Sequence, residues 1–359
     1  MHLKKKLSKL YYDYQRIQKM IIIERDTKSY AQNVQTKSLT VEEKRQLTKL
    51  WSTLLPSKKI PQTYYEIIKG FTDFNVEYLP DSIYQTYILP ILNPKEESVV
   101  FSNKGFYSFY FNEVEQPKEI VKNINGNFFY KENRPCSEDE AQSTILNYKL
   151  PFIIKPTTET GSGRNIKIID SLDGQSDVKQ LFKQYGKDFV CQEIVSQSEQ
   201  TARFNPTSLN TFRITTLMLN NHFSVLSSVF RCGRQNSVVD NAGAGGIMVG
   251  VSPSGEFHDI GFTLKGNIRK SSDNGIDFKG VQIREVQTII NKVQQLHEKI
   301  PFLSIVGWDI ALNKNNRPIL IEVNLKCPGI FIEQLCTGPI LGTRFSEVME
   351  YIKKTNSNE

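Results

Sequence analysis

IVGWDIALNKNNRPILIEVN, residues 305–324, decides how this chain folds. Two runs rich in Ile, Val and Leu flank the polar segment 313–317, the pattern of a β-hairpin. A two-residue turn at Asn315-Asn316 sets Asp309 opposite Glu322, Trp308 opposite Val323, Ile310 opposite Ile321 and Leu312 opposite Ile319. Side chains alternate faces along a strand. One face is then apolar, and the other carries Asp309, Glu322 and, two residues on, Asn324. Like charges side by side repel unless something neutralises them. Mg²⁺ suits such a trio because it takes hard oxygen ligands and keeps waters or phosphates in its other positions. The plain alternative is a solvated hairpin face with soluble acids.

The chain has 359 residues, enough for a large core divided among two or three subdomains. Its hydrophobic fraction of 39% and charged fraction of 23% are those of a globular protein. The net charge of +7 and pI near 8.9 suit anionic small molecules, a membrane surface or nucleic acid without choosing among them. The five cysteines, Cys136, Cys191, Cys232, Cys327 and Cys336, are scattered and lack a CxxC, which predicts reduced thiols in the cytoplasm. The four histidines, His2, His222, His258 and His297, have no ligand spacing, which argues against a metalloprotease or a His-based nucleophile system. No apolar run follows the basic start MHLKKK, and no stretch of about 18 apolar residues occurs, so neither a signal peptide nor a membrane span is expected.

Residues 1 to about 25 read as a helix with Leu3, Leu7, Leu10, Tyr14, Ile17 and Ile21 at helical spacing. Its lysines face solvent or an anionic membrane surface. Capping boxes open helices at Thr40 with Glu43 and at Ser137 with Glu140. Short helices run through residue 92, and Ser98 to Phe101 reads as a strand. Hairpins are expected around Asn125-Gly126, across Asn220-Asn221 and across 253–255. The second pairs Arg213 with Ser228 and Arg231 with Asn210, bringing both arginines toward one face. Pro151 to Lys155 is a strand, 157–163 a Gly, Ser and Thr loop, and 165–170 a second strand. This unit is neither a P-loop nor a Rossmann turn. Strand 188–195, an amphipathic helix over 282–297 and a terminal helix from about 344 to 354 complete the reading.

IIKP at 153–156, the loop TTETGSGRN, VCQEIV at 190–195 and the D…ExN set at 309, 322 and 324 together resemble the ATP-grasp superfamily. SNK at 102–104, SLNTFRI at 208–214 and NAGAGGI at 241–247 resemble one branch, the sugar-transfer-associated ATP-grasp proteins found with cell-surface polysaccharide biosynthesis. The resemblance covers about residues 50 to 345. It implies an α+β fold in which two subdomains clamp ATP, with a helical N-terminal extension. The implied divisions are a helical region over 1–55, a pre-grasp subdomain over 56–105, a lid with the glycine-rich loop over 106–195, and a C-terminal subdomain with the metal site over 196–359.

The resemblance also assigns roles. Lys104 and Lys155 are the expected phosphate lysines, each a compact cation. Thr160, Gly161, Ser162 and Gly163 form the loop whose backbone approaches phosphate. Gln192, Glu193 and Val195 belong to the linker that reads adenine, with Gln197 or Glu199 as candidates for the ribose. Arg213, then Arg231, are the catalytic candidates, since a guanidinium fork suits a γ-phosphate or acyl phosphate. Asp309, Glu322 and Asn324 are the ligands for one or two Mg²⁺ ions.

The implied reaction is ADP-forming carboxylate–amine ligation through an acyl phosphate. For this branch the carboxylate is expected on a sugar and the amine on an amino acid or another donor, within capsule-type polysaccharide synthesis. The rivals are an ATP-grasp kinase, a peptide-forming ligase and a noncatalytic nucleotide-binding module of an assembly complex. The expected partners are small molecules. Nucleic acid is not among them, because no Arg/Lys stripe interleaves with aromatics. A cytoplasmic protein, with the basic N-terminal helix as an optional contact to the inner membrane face and an open oligomeric state, completes the expectation.

Overall fold

The computed structural model describes residues 2–358 apart from Thr53, 56–59, 159–164, Asn236, Val238, Val239, Asn241, Ala242, Ala244 and 327–328; the side chains of 2–10, Tyr12 and 356–358 also lie outside it. Two antiparallel sheets dominate. The smaller contains β1 (Glu119–Ile124), β2 (Asn127–Tyr130), β3 (Pro135–Cys136), β4 (Phe152–Pro156), β5 (Lys167–Ile169) and β6 (Phe189–Glu193), in the order β3-β2-β1-β6-β4-β5. Asn125 and Gly126 have φ of 49° and 88°, the left-handed pair that lets a two-residue turn follow the strand twist. One side of this sheet packs Val121, Phe152 and Phe189 against Ile145, Val178 and Phe182 of two helices, 138–146 and 175–185.

The larger sheet contains β7 (Thr211–Leu219), β8 (His222–Cys232), β9 (Ile247–Val251), β10 (Phe257–Thr263), β11 (Ile268–Arg269), β12 (Ile305–Leu312) and β13 (Pro318–Asn324), in the order β11-β10-β9-β8-β7-β12-β13. All nine residues of β7 are buried because both sheet faces are covered. On one face Ile214, Trp308 and Ile310 meet Val286, Ile289 and Val293 of the helix Val286–His297. On the other, Leu217, Leu219 and Ile305 meet a helical layer built from Trp51, Tyr64, Leu79 and Val348. That layer covers only part of the face, and the polar remainder holds the candidate site.

Several expectations need correction. The hairpin 305–324 has a three-residue loop, 314–316, with Asn316 at φ 59°, so Leu312 pairs with Pro318 and Ile310 with Leu320. A bulge at Ile321 then restores the expected Asp309–Glu322 and Trp308–Val323 pairs. In β8 a bulge at Leu226 shifts the register by one, so Arg213 pairs with Val229 and Arg231 with Thr211. Residues 98–101 belong to the helix Lys95–Phe101, not to a strand. Pro94 precedes that helix and Glu96 and Glu97 occupy its first turn, both favourable at an N-terminus, and they outweigh the β-propensity of Val99 and Val100. The helix expected from 282 begins at Val286, because Gln282 bridges Glu256 and Ile283 N donates to Gly255 O at 2.9 Å. At Gly255, φ is 86° and an added Cβ would stand 1.9 Å from Ile283 O, so only glycine fits. The first helix is longer than expected, spanning His2–Ala31.

His297 illustrates how the core treats a polar group. Its Nδ1 accepts from Thr216 Oγ1 at 2.8 Å, and its Nε2 donates to Leu303 O at 2.8 Å. Leu303 O can only accept, so Nε2 carries the hydrogen of the neutral ring, and Trp308 Nε1 also donates to Thr216 Oγ1 at 2.8 Å. Burial depresses its pKa to about 4. Below the ordinary value near 6.5 the unfolded chain binds a proton that the folded chain refuses. Stability from this group is therefore present above about pH 6.5 and lost as pH falls toward 4, on the order of 3 kcal/mol in all. Urea denaturation at pH 7 and pH 4.5 should show a larger acid loss in the wild type than in His297→Gln. Equal losses would contradict the assignment.

Candidate active site

Alternation along β7, β8 and β12 builds a grid of polar side chains on one face. Asp309 pairs with Arg213, and Thr215 with Ser227, while Thr211 pairs with Arg231. The Leu226 bulge brings both arginines onto this face. Arg213 approaches Asp309 side-on, with Nε to Oδ1 at 2.5 Å and Nη2 to Oδ2 at 3.0 Å. Arg231 adds Nη1 to Oδ2 at 3.0 Å and sends Nη2 to Asp240 Oδ1 at 3.0 Å. Asp240 also accepts from the Thr211 hydroxyl. Burial alone would raise the pKa of Asp309, but the two guanidiniums outweigh it and hold the carboxyl well below its usual range.

Glu322 faces Asp309 from β13 and takes Lys104 Nζ at 2.7 Å. The chain delivers Lys104 there by laying 104–115 along the outer edge of β13. Tyr107 Oη accepts from Val323 N at 2.8 Å, and Leu320 N donates to Glu115 O at 2.8 Å. Asn324 Nδ2 donates to Asp309 Oδ2 at 3.3 Å and to Gly307 O at 3.2 Å, which leaves its oxygen turned away from both. Lys155, at the end of β4, is half-buried. That burial, reinforced by the Lys104 charge, lowers its pKa to about 8. Lys104 N also donates to Thr157 O at 2.9 Å, tying the two lysine segments together.

A cavity of about 440 Å³ opens between the sheets, lined by Ile153, Lys155, Gln192, Glu193, Val195 and Ile321 among others. Ile321 is the bulge residue of β13. A cavity of about 460 Å³ at the far end of the β7–β8 hairpin, lined by Met218, His222 and Phe223, includes none of the candidate catalytic, nucleotide or metal residues. The Glu193 carboxylate accepts from Tyr148 Oη at 2.5 Å and lies 3.3 Å from Lys118, so its side chain is committed within the protein. Gln197 is equally committed. Its Nε2 donates to Asn205 O at 3.2 Å and Ser208 O at 2.7 Å, and its Oε1 accepts from Asn210 N at 3.2 Å and Asn210 Nδ2 at 3.1 Å. It lines the cavity with its amide group held by these partners, while Glu199 is exposed. Thr160, Gly161, Ser162 and Gly163 lie outside the described residues.

Sequence reasoning missed two acids. Asp240 stands beside Arg231, and Glu333 Oε1 lies 3.6 Å from Arg213 Nη1. Neither falls in a motif; Asp240 meets an arginine nine residues before it, and Glu333 meets partners more than a hundred residues away. Among the described residues no group of three or more His, Cys, Asp or Glu side chains gathers to hold a metal. The trio at 309, 322 and 324 is two carboxylates and an amide. Its oxygens suit a hard cation, but Asp309 must share its charge with the arginines, and Glu322 with Lys104.

The ion pairs predict different stabilities for two substitutions. Asp309→Asn strips the shared carboxylate from two buried guanidiniums and should lose about 3–5 kcal/mol in chemical denaturation. Glu322→Gln, at a side chain 31% exposed whose amide oxygen still accepts from Lys104, should lose no more than about 1 kcal/mol. Equal losses would contradict the geometry.

The family described as sugar-transfer associated ATP-grasp matches residues 82–350. No curated protein matches the sequence. Among solved structures, the D-alanine–D-alanine ligase of Helicobacter pylori is similar with a TM-score of 0.41 and 13% identity, over 73% of this chain and 60% of the other. Biotin carboxylase of Campylobacter jejuni, crystallised with a β,γ-ATP compound, is similar with a TM-score of 0.45 and 9% identity, over 73% of this chain and 48% of the other. The chain thus spans less than two thirds of the length of either protein. Among the described residues no helix is long and apolar enough to cross a membrane. With the family match covering both sheets and every residue of the polar grid, the chain belongs to the sugar-transfer-associated ATP-grasp family.

Proposed function

We propose that this chain is an ATP-dependent carboxylate–amine ligase that joins an amino acid or another amine to a sugar carboxylate during surface-polysaccharide synthesis. One observation carries the reading. Arg213, Arg231, Asp309, Glu322 and Asn324 share one sheet face, and Lys104 connects that face to the cavity holding Lys155 and Gln192.

The adenine lies in the cavity, against Ile153 and Ile321, and the triphosphate runs past Lys155 and Lys104 toward Arg213. Asp309, Glu322 and Asn324 would hold one or two Mg²⁺ ions, which when bound neutralise phosphate charge. The N–H bonds of Arg213 not taken by Asp309 face the transferred phosphoryl group, and Arg231 keeps Asp309 in place. A substrate carboxylate oxygen bonds to the γ-phosphorus as the bond to the bridging oxygen breaks, giving acyl phosphate and ADP. The amine nitrogen then bonds to the acyl carbon, inorganic phosphate leaves, and the nitrogen loses a proton. Positioning and fixed charge carry the first step, so no protein nucleophile is needed.

ADP release from Mg²⁺ and ATP should depend on both a sugar acid and an amine, with an amide product identified by mass spectrometry. A phosphorylated acceptor without inorganic phosphate would make the chain a kinase. Nucleotide binding without turnover across a broad acceptor panel would make it a binding module. Glu322→Gln should lower ADP release at least about a hundredfold, as loss of a transition-state contact worth roughly 3 kcal/mol does, at nearly unchanged stability. An unaffected product yield would remove the mechanism.

Lys155 gives the binding step a pH signature. Anion binding favours its charged form, so the free protein must take up a proton once pH exceeds the value of about 8. ATP affinity should fall by up to about tenfold per pH unit above 8, the limit for uptake of one proton. Lys155→Arg should stay flat over the same range in calorimetric titrations. A flat wild-type profile would exclude Lys155 from phosphate binding.

A further inference from the structure

Glu333 is a carboxylate with no exposed surface that the reaction derived above does not use. It sits in the first turn of the helix Phe331–Thr337. Its Oε2 accepts from Thr215 Oγ1 at 2.7 Å and from the Ser227 hydroxyl, two residues that face each other across β7 and β8. Its Oε1 is buried and accepts no hydrogen bond among the described residues, and it is aimed at Arg213 Nη1, 3.6 Å away. The next residue clamps the helix. Gln334 Nε2 donates to Tyr64 Oη at 2.6 Å and Leu79 O at 2.9 Å, and its Oε1 accepts from Leu79 N at 2.9 Å and Ile340 N at 3.2 Å. Glu333 therefore cannot shift without moving the helical layer that includes Tyr64 and Leu79.

Holding a carboxylate in this position is unfavourable as pure packing. Two neutral hydroxyls and a cation beyond hydrogen-bond range only partly replace its lost hydration. What the arrangement provides is direction. Asp309 grips Arg213 along the Nε–Nη2 edge, and Glu333 faces the opposite nitrogen, so opposing carboxylates fix the guanidinium plane. We propose that Glu333 is a positioning residue for Arg213, orienting its remaining N–H bonds toward the γ-phosphoryl group of the nucleotide. The inference rests on the ligase reading, which sets Arg213 beside that group.

Calorimetric titration of the full chain with Mg²⁺ and either ADP or a nonhydrolysable ATP analogue separates this role from a structural one. Glu333→Gln preserves volume and still accepts from both hydroxyls, but turns an amide N–H toward Arg213 in place of a charge. Its ADP affinity should stay within twofold of the wild type while analogue affinity falls five- to tenfold. In an Arg213→Lys background the same change should add nothing. Ser227→Ala, which loosens Glu333 without touching its charge and guards against misfolding of the first variant, should weaken the analogue two- to threefold and leave ADP unchanged. An unaltered preference for analogue over ADP in Glu333→Gln, equal weakening of both ligands, or effects that simply add to those of Arg213→Lys would each overturn the positioning role alone. A wild type that binds neither nucleotide would overturn the ligase reading and this inference with it.

Discussion

The carboxylate of Asp309, shared between two buried guanidiniums, constrains the large sheet more than any other contact. An isolated charge this far from water is strongly disfavoured, and each partner is tolerable only because the others are present. Arg213 and Arg231 come from neighbouring strands, and Asp309 from the strand on the other side of β7. The three meet only if β8, β7 and β12 hold one register over that stretch. A one-residue slip would send a charged side chain into the core formed by Trp308, Phe212 and Val286. The cluster thus fixes the alignment that also brings Glu322 and Asn324 beside Asp309. Asp240 extends it to the segment leading into the AGAGG run, and Glu333 extends it to a helix from the end of the chain.

Much of this was legible in the sequence, though not always for the right reason. The Asp309–Glu322 pairing was deduced from a two-residue turn that does not exist. The loop is one residue longer, and the bulge at Ile321 moves the register back. Hydrophobic alternation had fixed which residues faced the core, and the offsets cancelled within that limit. The arginines show the opposite case. The Asn220-Asn221 turn is correct, but the register it implies, with Arg231 opposite Asn210, sets the two arginines on opposite faces, so the expectation of a shared face does not follow from it. The Leu226 bulge unites them, and nothing in SVLSSVF announces a bulge. Bulges reflect long-range fit between strands, whereas turn chemistry is local. Glu333 and Asp240 were invisible because an acid's role depends on what it touches. For Glu333 those partners, Thr215 and Ser227, lie 118 and 106 residues away.

The lysines show a further layer that composition hides. The chain's net charge is +7, yet exposed lysines are screened by salt within about 8–10 Å. Their excess does little for a ligand held between the sheets. Lys155 differs because it is half-buried beside a second ammonium; partial desolvation and then the Lys104 charge lower its pKa, and an anion would favour its charged form. Lys104 is held by Glu322, a carboxylate on the face that carries Asp309 and Asn324. A cation on that face and a phosphate beside Lys104 would therefore reinforce each other, each taking over half of an existing ion pair.

Charge balance carries that coupling one step further. Lys104, Lys155, Arg213 and Arg231 stand against Asp240, Asp309, Glu322 and Glu333, so these side chains are close to neutral as a set. A triphosphate entering such a group would leave most of its own charge uncompensated in a region of low dielectric, where each uncompensated charge is far more costly than in water. The arginines cannot turn wholly toward the phosphates, because Asp309 would then lose its partners. As a set these eight side chains have no net charge left to neutralise the triphosphate. A divalent ion entering with the nucleotide would supply such charge, and the side chains proposed to meet it are those at 309, 322 and 324.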